Sequence, residues 1–358
     1  MVYILSIKLA MLFFPALAFV ITLPYMIANY RKYGSVNKLR TLIVYSFALY
    51  LLTVYLLVIL PLPNRESIHS RYTDMLNLVP FAFVIDFIKS SPFALSNPAS
   101  WIMALKHPSF YVPAFNVLML IPFGIYMRYY FKCSFKKTML LTALLSLFFE
   151  LTQLSGLYFI YSGPYRLGDI DDIIQNTTGG CLGYLIGWVA VKILPSRDRI
   201  DEKSLELGTR VSGIRVLLSL IIDTLIVFIP YSLSKTEIPS WPFIAGYFAL
   251  IPLLNGKTFG SALLRFKIEF DGQNWARTVL RGVLLAVYFA LIPQGLIYLT
   301  NEFNKHADDL LYLCLLVITL LVLLLYALIT IACVLLSKRL LFDRLVGTKY
   351  RSTIKIDN

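Results

Sequence analysis

Charged residues are scarce in this chain, and so are the residue types that most often hold metals. Charged residues make up 15% of the 358 positions, and there are only three histidines and four cysteines. His69, His107 and His306 lie far apart, and no His/Cys spacing predicts a zinc site. We therefore expect no metal and no cofactor. The chain is instead 58% hydrophobic, a composition that excludes an ordinary soluble domain and predicts a membrane protein.

Long apolar runs recur through the whole sequence. A helix needs about 20 apolar residues to cross roughly 30 Å of hydrocarbon. The pattern predicts an all-α, polytopic transmembrane helical bundle of about nine spans. The seventh run is short and is a candidate for a re-entrant segment. The predicted spans are Ile4–Ile27, Thr41–Leu60, Tyr111–Tyr130, Thr138–Ile160, Ile173–Leu194, Ile214–Leu233, Trp241–Leu254, Gly282–Leu299 and Leu310–Leu336.

Basic residues fall in alternate loops. The net charge is +13, but lysine and arginine do not form one patch, so this charge does not predict nucleic-acid binding. They cluster after the first, third, fifth, seventh and ninth runs, which is typical of cytoplasmic loops. This alternation predicts that the N-terminus lies outside and the C-terminus inside. The loop between the fourth and fifth spans then faces outward.

A strongly charged stretch divides the chain into two parts. We predict a transmembrane domain over residues 1–195, which includes an extra N-terminal helix, and a charged cytoplasmic linker over residues 196–212. A second transmembrane domain with a basic cytoplasmic tail follows over residues 213–358. No internal repeat relates the two domains.

The densest polar segment lies between the fourth and fifth spans. It contains Arg166, Asp169, Asp171, Asp172 and Asn176. The spacing of Asp169, Asp172 and Asn176 places them on one face of a helix. One interpretation is a capped helix N-terminus with Arg166 as counter-ion. The other is a functional site, because charge kept in or at a membrane usually serves binding, transport or catalysis.

A second polar pair interrupts the fourth span. Glu150 and Gln153 lie one helical turn apart near the middle of that apolar run. A carboxyl group there must be neutral, paired or facing water. A polar cavity that reaches inward from the outer loop explains both residues, and an interhelical hydrogen bond is the alternative.

Two other segments join an amide to a Pro-Phe pair. Proline removes a backbone donor and interrupts a helix, so these segments predict broken or re-entrant elements. Their amides can bond freed backbone groups or a ligand. The segments contain Asn77, Pro80 and Phe81, and Asn116, Pro122 and Phe123.

Together these residues resemble the VanZ family, over roughly residues 40–195. The resemblance also includes the small residues Gly124, Gly179, Gly180 and Gly183. It implies a multi-pass protein of the bacterial cell membrane, associated with resistance of Gram-positive bacteria to teicoplanin and related lipidated glycopeptides. The ligand-binding residues that we predict are Arg166, Asp169, Asp171, Asp172, Asn176, Glu150, Gln153, Asn77, Pro80, Phe81, Asn116, Pro122 and Phe123.

The second half resembles an RDD domain, over about residues 210–351. Arg215 precedes Asp223 in an apolar helix, and Asp343 lies in a segment similar to that family's closing motif. Arg215 and Asp223 are about 12 Å apart along a helix, so they cannot simply pair with each other. We expect Asp223 to find its partner in Arg281 or Asp343. A structural polar cluster is the alternative to the transport role that the resemblance implies.

Three classes of function compete. In the first, the outer cavity protects the envelope by binding a lipid-linked cell-wall precursor or the lipoglycopeptide itself. Arg166 then contacts phosphate or carboxylate, and Phe81, Phe123 and Trp101 accommodate apolar tails. In the second, the chain is a cation/proton-coupled transporter that uses Glu150 or Asp223.

The third class is a metal-dependent enzyme that acts on a lipid phosphate, with Asp169, Asp171 and Asp172 as ligands. No neighbouring nucleophile, histidine base or phosphate-binding glycine loop supports catalysis. We therefore expect a binding protein in contact with membrane lipids, rather than an enzyme. Its binding site is predicted to be the outer cavity.

Overall fold

The computed structural model describes residues 2–68, 70–234, 236, 238–270, 275–337 and 340–355, so His69 lies outside the described residues. Within these ranges, seven helices are long and apolar enough to cross a membrane, and a bent pair raises the number to eight. A further apolar helix, Trp241–Asn255, is shorter and corresponds to the run predicted to be short. The prediction of an all-α polytopic membrane protein is confirmed.

The helices follow the apolar runs, with short elements between them. The first half contains α1 (Val2–Tyr33), α2 (Lys38–Ile59), α3 (Ala82–Ser90), α4 (Pro98–Leu105), α5 (Pro108–Tyr129), α6 (Phe135–Leu154), α7 (Gly156–Phe159) and α8 (Ile170–Ile193). The second half contains α9 (Arg197–Gly208), α10 (Gly213–Leu233), α11 (Trp241–Asn255), α12 (Phe259–Leu263), α13 (Trp275–Ala286), α14 (Ile292–Asn304), α15 (Leu310–Ala332) and α16 (Leu341–Val346).

Among the described residues the chain also forms four short strands and four short 3-10 or π-helical segments. Strands β1 (Leu76–Asn77) and β2 (Gly168–Asp169) pair in parallel, and β3 (Phe266–Phe270) and β4 (Thr348–Ser352) pair antiparallel. Turns of 3-10 helix lie at Arg65–Ser67 and Tyr72–Met75. A π-helical stretch at Val287–Leu291 joins α13 to α14, and another at Cys333–Ser337 follows α15.

The chain folds into two compact units. The first comprises Met1–Ile21 and Lys38–Ile200, and the second comprises Thr22–Asn37 and Asp201–Asn358. The division after Ile200 falls inside α9, so the predicted linker is largely helical rather than an irregular connection. Helix formers of both charge signs fill α9, which explains why a segment so polar is still a helix.

The core of the first unit depends on close contact between α5 and α8. A Cβ atom built on Gly179 would lie 2.0 Å from the carbonyl oxygen of Val117, and one on Gly183 would lie 2.0 Å from that of Ile121. Small residues allow two membrane helices to pack backbone against backbone. This contact places the polar N-terminal turns of α8 beside the middle of α5.

Helix α5 is continuous, which corrects the prediction of a broken element at Asn116, Pro122 and Phe123. It runs through Pro122 without interruption. Proline is tolerated in membrane helices where neighbouring groups satisfy the backbone. Tyr50 contacts this part of α5, since its hydroxyl donates to the carbonyl of Met119 at 2.8 Å.

Helix α6 is shorter than the apolar run predicted. It ends at Leu154, and the backbone then turns at Gly156, where φ is +62°. Glu150 therefore lies in the last turn of α6 rather than near the middle of a span. This end of α6 faces the start of α8.

The second unit has its own apolar core. Its fully buried members include Phe248 of α11, Leu264, Phe266 of β3 and Leu285 of α13. The β3–β4 ladder pairs Phe266 with Ser352 and Phe270 with Thr348.

Candidate functional site

Arg166 binds the C-terminal end of α2. Its Nη1 and Nη2 atoms donate to the carbonyls of Val58 and Leu60, each at 2.9 Å. The last carbonyls of a helix have no partner within it and favour a nearby cation. Among the described residues Arg166 has no carboxylate within ion-pair distance, and its charge acts on Glu150 and Asp172 through space rather than by direct contact. It anchors the loop before α8 to α2.

Asp169 caps the start of α8. Its Oδ1 accepts from the backbone N–H of Asp171 at 2.8 Å, and Asn77 Nδ2 donates to both of its oxygens at 3.1 Å. The β1–β2 register brings Asn77 opposite Asp169. The backbone N–H of Asp169 also donates to Glu150 Oε2 at 2.9 Å. These bonds join the ends of β1, α6 and α8.

Asp171 fixes the turn that leads into α3. Its carboxylate accepts from the backbone N–H of Phe81 at 2.6 Å and of Phe83 at 3.0 Å. Phe81 has φ of +64°, a left-handed conformation that is uncommon for a residue with a side chain. Asp171 is buried. The two hydrogen bonds give this carboxylate a positioning role in the loop.

Asp172 meets Asn116 across the α5–α8 contact. Asn116 Nδ2 donates to Asp172 Oδ1 at 2.7 Å and to Gln175 Oε1 at 2.9 Å. Gln175 is buried and was missed by the sequence analysis, although it lies in the same polar segment. The pairing shows why an amide stands in the middle of α5.

Asn176 joins the same group from the next turn of α8. Its Nδ2 donates to Ser146 Oγ at 2.8 Å. Ser146 Oγ in turn donates to the backbone carbonyl of Asp172 at 3.4 Å. The Oδ1 atom of Asn176 is buried and has no hydrogen-bond partner. Ser146 was also missed, because a lone serine one turn before Glu150 gave no separate signal. A buried acceptor without a partner is costly and points to a ligand.

A cavity of about 370 Å³ lies among these side chains in the first unit. Helices α2, α5, α6 and α8 and the loop at Arg166 contribute to it. Six polar residues line it together with an apolar wall. The polar residues are Asn116, Glu150, Gln153, Arg166, Asp172 and Asn176, and the apolar ones are Leu57, Val58, Leu60, Pro61, Val112, Phe115, Met119 and Phe149. Its size and mixed lining are typical of a small-molecule site.

A second cavity of about 260 Å³ also belongs to the first unit. Val112 and Asp172 line both cavities. Asn77, Asp169 and Asp171 line only this smaller one of the two. The predicted polar residues thus divide between two adjoining spaces.

The aromatic and proline residues of the prediction lie in different surroundings. Phe123 is buried and packs against Phe47, with ring centroids 6.1 Å apart. Pro122 lies within α5, whereas Pro80 and Phe81 are exposed in the turn before α3. Trp101 of α4 is half-exposed and donates to the carbonyl of Ala94 at 3.0 Å. The structure therefore does not gather these residues around the larger cavity.

The predicted partner of Asp223 in the second unit is wrong. Asp223 is fully buried and accepts from Thr258 Oγ1 at 2.5 Å, the backbone N–H of Gly260 at 2.6 Å and the hydroxyl of Tyr247 at 2.7 Å. Neutral donors at the α12 turn thus satisfy it. With these three donors bound to it, the Asp223 carboxylate does not need a cation as its partner.

Arg281 and Asp343 bind each other instead. Arg281 Nε lies 2.9 Å from Asp343 Oδ1, and both side chains are buried. Arg215 donates to backbone carbonyls, including those of Leu264 at 2.8 Å and Arg265 at 2.6 Å. The four charged residues of this half therefore have three separate environments rather than one cluster.

Metal binding receives no support from the described residues. Within the ranges that the structure covers, no group of three or more His, Cys, Asp or Glu side chains is arranged to hold a metal ion.

The first unit can now be compared with known proteins. Residues 47–192 match the family model VanZ/LLP1. The match includes every residue that lines the two cavities, and it lies within the region whose motifs resemble that family. Over this region the chain is similar to the VanZ/LLP1 family. No curated protein and no solved structure matches the chain. The VanZ match ends before the second unit, whose RDD resemblance stays a prediction.

Proposed function

We propose that this chain protects a Gram-positive cell envelope against teicoplanin-type lipidated glycopeptides by binding an amphiphile in the larger cavity of its VanZ-like unit. The occupant is a lipid-linked cell-wall intermediate or the lipid-bearing drug. The observation that carries the proposal is the buried acceptor Asn176 Oδ1, which lacks a protein partner and belongs to a residue that lines this cavity. A ligand that donates to it would remove a desolvation cost of about 1–3 kcal/mol.

The apolar wall supports an amphiphilic occupant. Leu57, Val112, Phe115 and Met119 line the cavity together with its polar side chains. A ligand with one polar and one apolar end would match both kinds of lining. The bacterial cell membrane supplies such molecules in abundance, so the localisation that we propose agrees with the lining.

In this proposal the RDD-like second unit is a second membrane-embedded domain. Its buried Arg281–Asp343 pair and the buried carboxylate of Asp223 support an ordered polar interior. A cation/proton-coupled transporter that uses Glu150 or Asp223 is the alternative, and ion flux into sealed vesicles measures it. A metal-dependent enzyme that acts on a lipid phosphate is the second alternative.

Growth inhibition tests the proposed role. We expect wild-type protein in a sensitive Gram-positive host to lower sensitivity to teicoplanin but not to vancomycin. Asp172→Asn should remove this protection at matched membrane abundance, because it places an amide nitrogen or a neutral oxygen where the cavity has a carboxylate. Asp74→Asn is the control, since Asp74 is exposed and accepts from its neighbour Thr73.

Two outcomes would contradict the proposal. Absence of protection by the wild type would remove the envelope role, and equal protection by Asp172→Asn would move that role away from the cavity. A fall in membrane abundance of Asp172→Asn is detected by immunoblotting, and protection is then compared at lowered wild-type expression.

A further inference from the structure

The polar groups of the larger cavity are used unequally by the protein. Its donor-bearing side chains already donate to protein acceptors. Arg166 and Gln153 bond carbonyls at the end of α2, Asn116 bonds Asp172 and Gln175, and Asn176 bonds Ser146. Asn116 Nδ2 has two protons, and both are accounted for by these two bonds.

The acceptors of the same cavity are less used. Glu150 accepts through Oε2 and Asp172 through Oδ1, which leaves Glu150 Oε1 and Asp172 Oδ2 without a bond among the described residues. Asn176 Oδ1 is the third acceptor without a partner. Since all three residues line the cavity, these oxygen lone pairs are part of its unused hydrogen-bonding capacity.

The orientation of the Asn176 amide is fixed by its neighbour. Ser146 Oγ has one proton, which points toward the backbone carbonyl of Asp172. In this arrangement the hydroxyl accepts from Asn176 Nδ2, and Asn176 Oδ1 has no hydrogen-bond partner.

The charges of the cavity favour the same conclusion. Two carboxyl groups, Glu150 and Asp172, line it, and the single guanidinium of Arg166 is directed to the carbonyls of α2. A phosphate would bring further negative charge beside these two carboxyl groups, which is unfavourable. A primary ammonium group carries three donors and a positive charge, and it matches three oxygen acceptors.

We propose that the larger cavity binds the primary ammonium group of an amphiphile, with Asp172 Oδ2, Glu150 Oε1 and Asn176 Oδ1 as acceptors and the apolar wall against its hydrocarbon part. This inference rests on the proposed function in using the same cavity, and it names the chemistry of the ligand. It replaces the expectation that Arg166 contacts a phosphate or carboxylate. The ammonium can belong to a membrane lipid headgroup or to a free amphiphile.

Matched single-chain probes test the chemistry. The full chain in a neutral maltoside detergent is titrated with dodecylamine, dodecanol or dodecyl phosphate, and binding is measured by calorimetry. We expect dodecylamine to bind at least about tenfold more tightly than the other two. Asp172→Asn should weaken dodecylamine binding by about tenfold, and Asp74→Asn should leave it unchanged.

A second arm identifies the source of the ammonium. The full chain in nanodiscs of phosphatidylcholine is compared with the full chain in nanodiscs that also contain phosphatidylethanolamine. Loss of dodecylamine binding in the second nanodisc assigns the site to a lipid headgroup. Unchanged binding there assigns it to a free amphiphile, and either result supports an ammonium site.

Three results would overturn the inference. They are tighter binding of dodecyl phosphate, equal binding of dodecylamine and dodecanol, and no difference between wild type and Asp172→Asn. Absence of binding by every probe would overturn it as well. The growth assay tests the protective role independently of these binding results. Failure of the ammonium inference can therefore be distinguished from failure of the proposed function.

Discussion

Replacing Asp343 with leucine should lower the free energy of unfolding by about 3–5 kcal/mol, because the change leaves a buried charge without its partner. Arg281 and Asp343 are 2% and 0% exposed, and their side chains are 2.9 Å apart. Leucine removes the carboxylate and offers Arg281 no acceptor. Denaturation of the full chain in detergent, followed by circular dichroism, measures the loss.

Tyr350 belongs to the same buried group. Arg281 Nη2 donates to its hydroxyl at 3.1 Å, and that hydroxyl donates to Asp343. Burial raises the pKa of Tyr350 above its ordinary value, which keeps the hydroxyl protonated and able to donate. The backbone N–H of Leu340 also donates to Asp343 at 3.3 Å, so the Asp343→Leu variant loses three hydrogen bonds that converge on one carboxylate.

A double variant distinguishes the buried charge from lost packing. Arg281→Met combined with Asp343→Leu should recover most of the stability, because replacing both members of a buried pair with apolar residues is often neutral or stabilising. Wild-type stability of Asp343→Leu alone would show that the pair is not buried as described. Equal damage in the single and double variants would assign the effect to packing.

Gly183→Ala should destabilise the first unit by about 1–3 kcal/mol or more, through forced separation of α5 and α8. The new Cβ atom would lie 2.0 Å from the carbonyl oxygen of Ile121, so the two backbones must move apart. The same shift would separate Asn116 from Asp172. Detergent denaturation should therefore show reduced stability, and amphiphile binding should weaken with it.

Gly246→Ala is the matched control for this change. Gly246 also lies in a helix, but a Cβ atom built there meets no atom within 4 Å. Alanine is favoured over glycine in helices by about 1 kcal/mol. The control should be neutral or slightly stabilising. If Gly183→Ala behaved in the same way, α5 and α8 could not approach as closely as the structure has them.

The sequence predicted the helices well because each apolar run has to bury its backbone hydrogen bonds within itself. It failed at boundaries where apolar residues continue past a helix end. The run through Ile160 concealed the end of α6 at Leu154, although Ser155 and Gly156 are residues typical of such an end. Glu150 was consequently placed too deep.

The sequence identified most of the polar residues around the two cavities, but it did not predict which residues they contact. The local spacing left a capped helix N-terminus as one of two interpretations, and Asp169 does cap α8. The partner of Arg166 lies 108 residues earlier in the chain at Val58, and nothing local in the sequence marks that distance. Ser146 and Gln175 were missed for a similar reason, since their importance comes from neighbours on other helices or other turns.

Native mass spectrometry of the purified full chain tests most directly whether the cavity of the VanZ-like unit holds an amphiphile. Wild type, Asp172→Asn and Asp74→Asn are extracted from the same host membrane in one mild detergent. We predict a bound amphiphile on wild type and Asp74→Asn and its loss from Asp172→Asn. The same bound mass on all three, or none on any of them, would contradict the account.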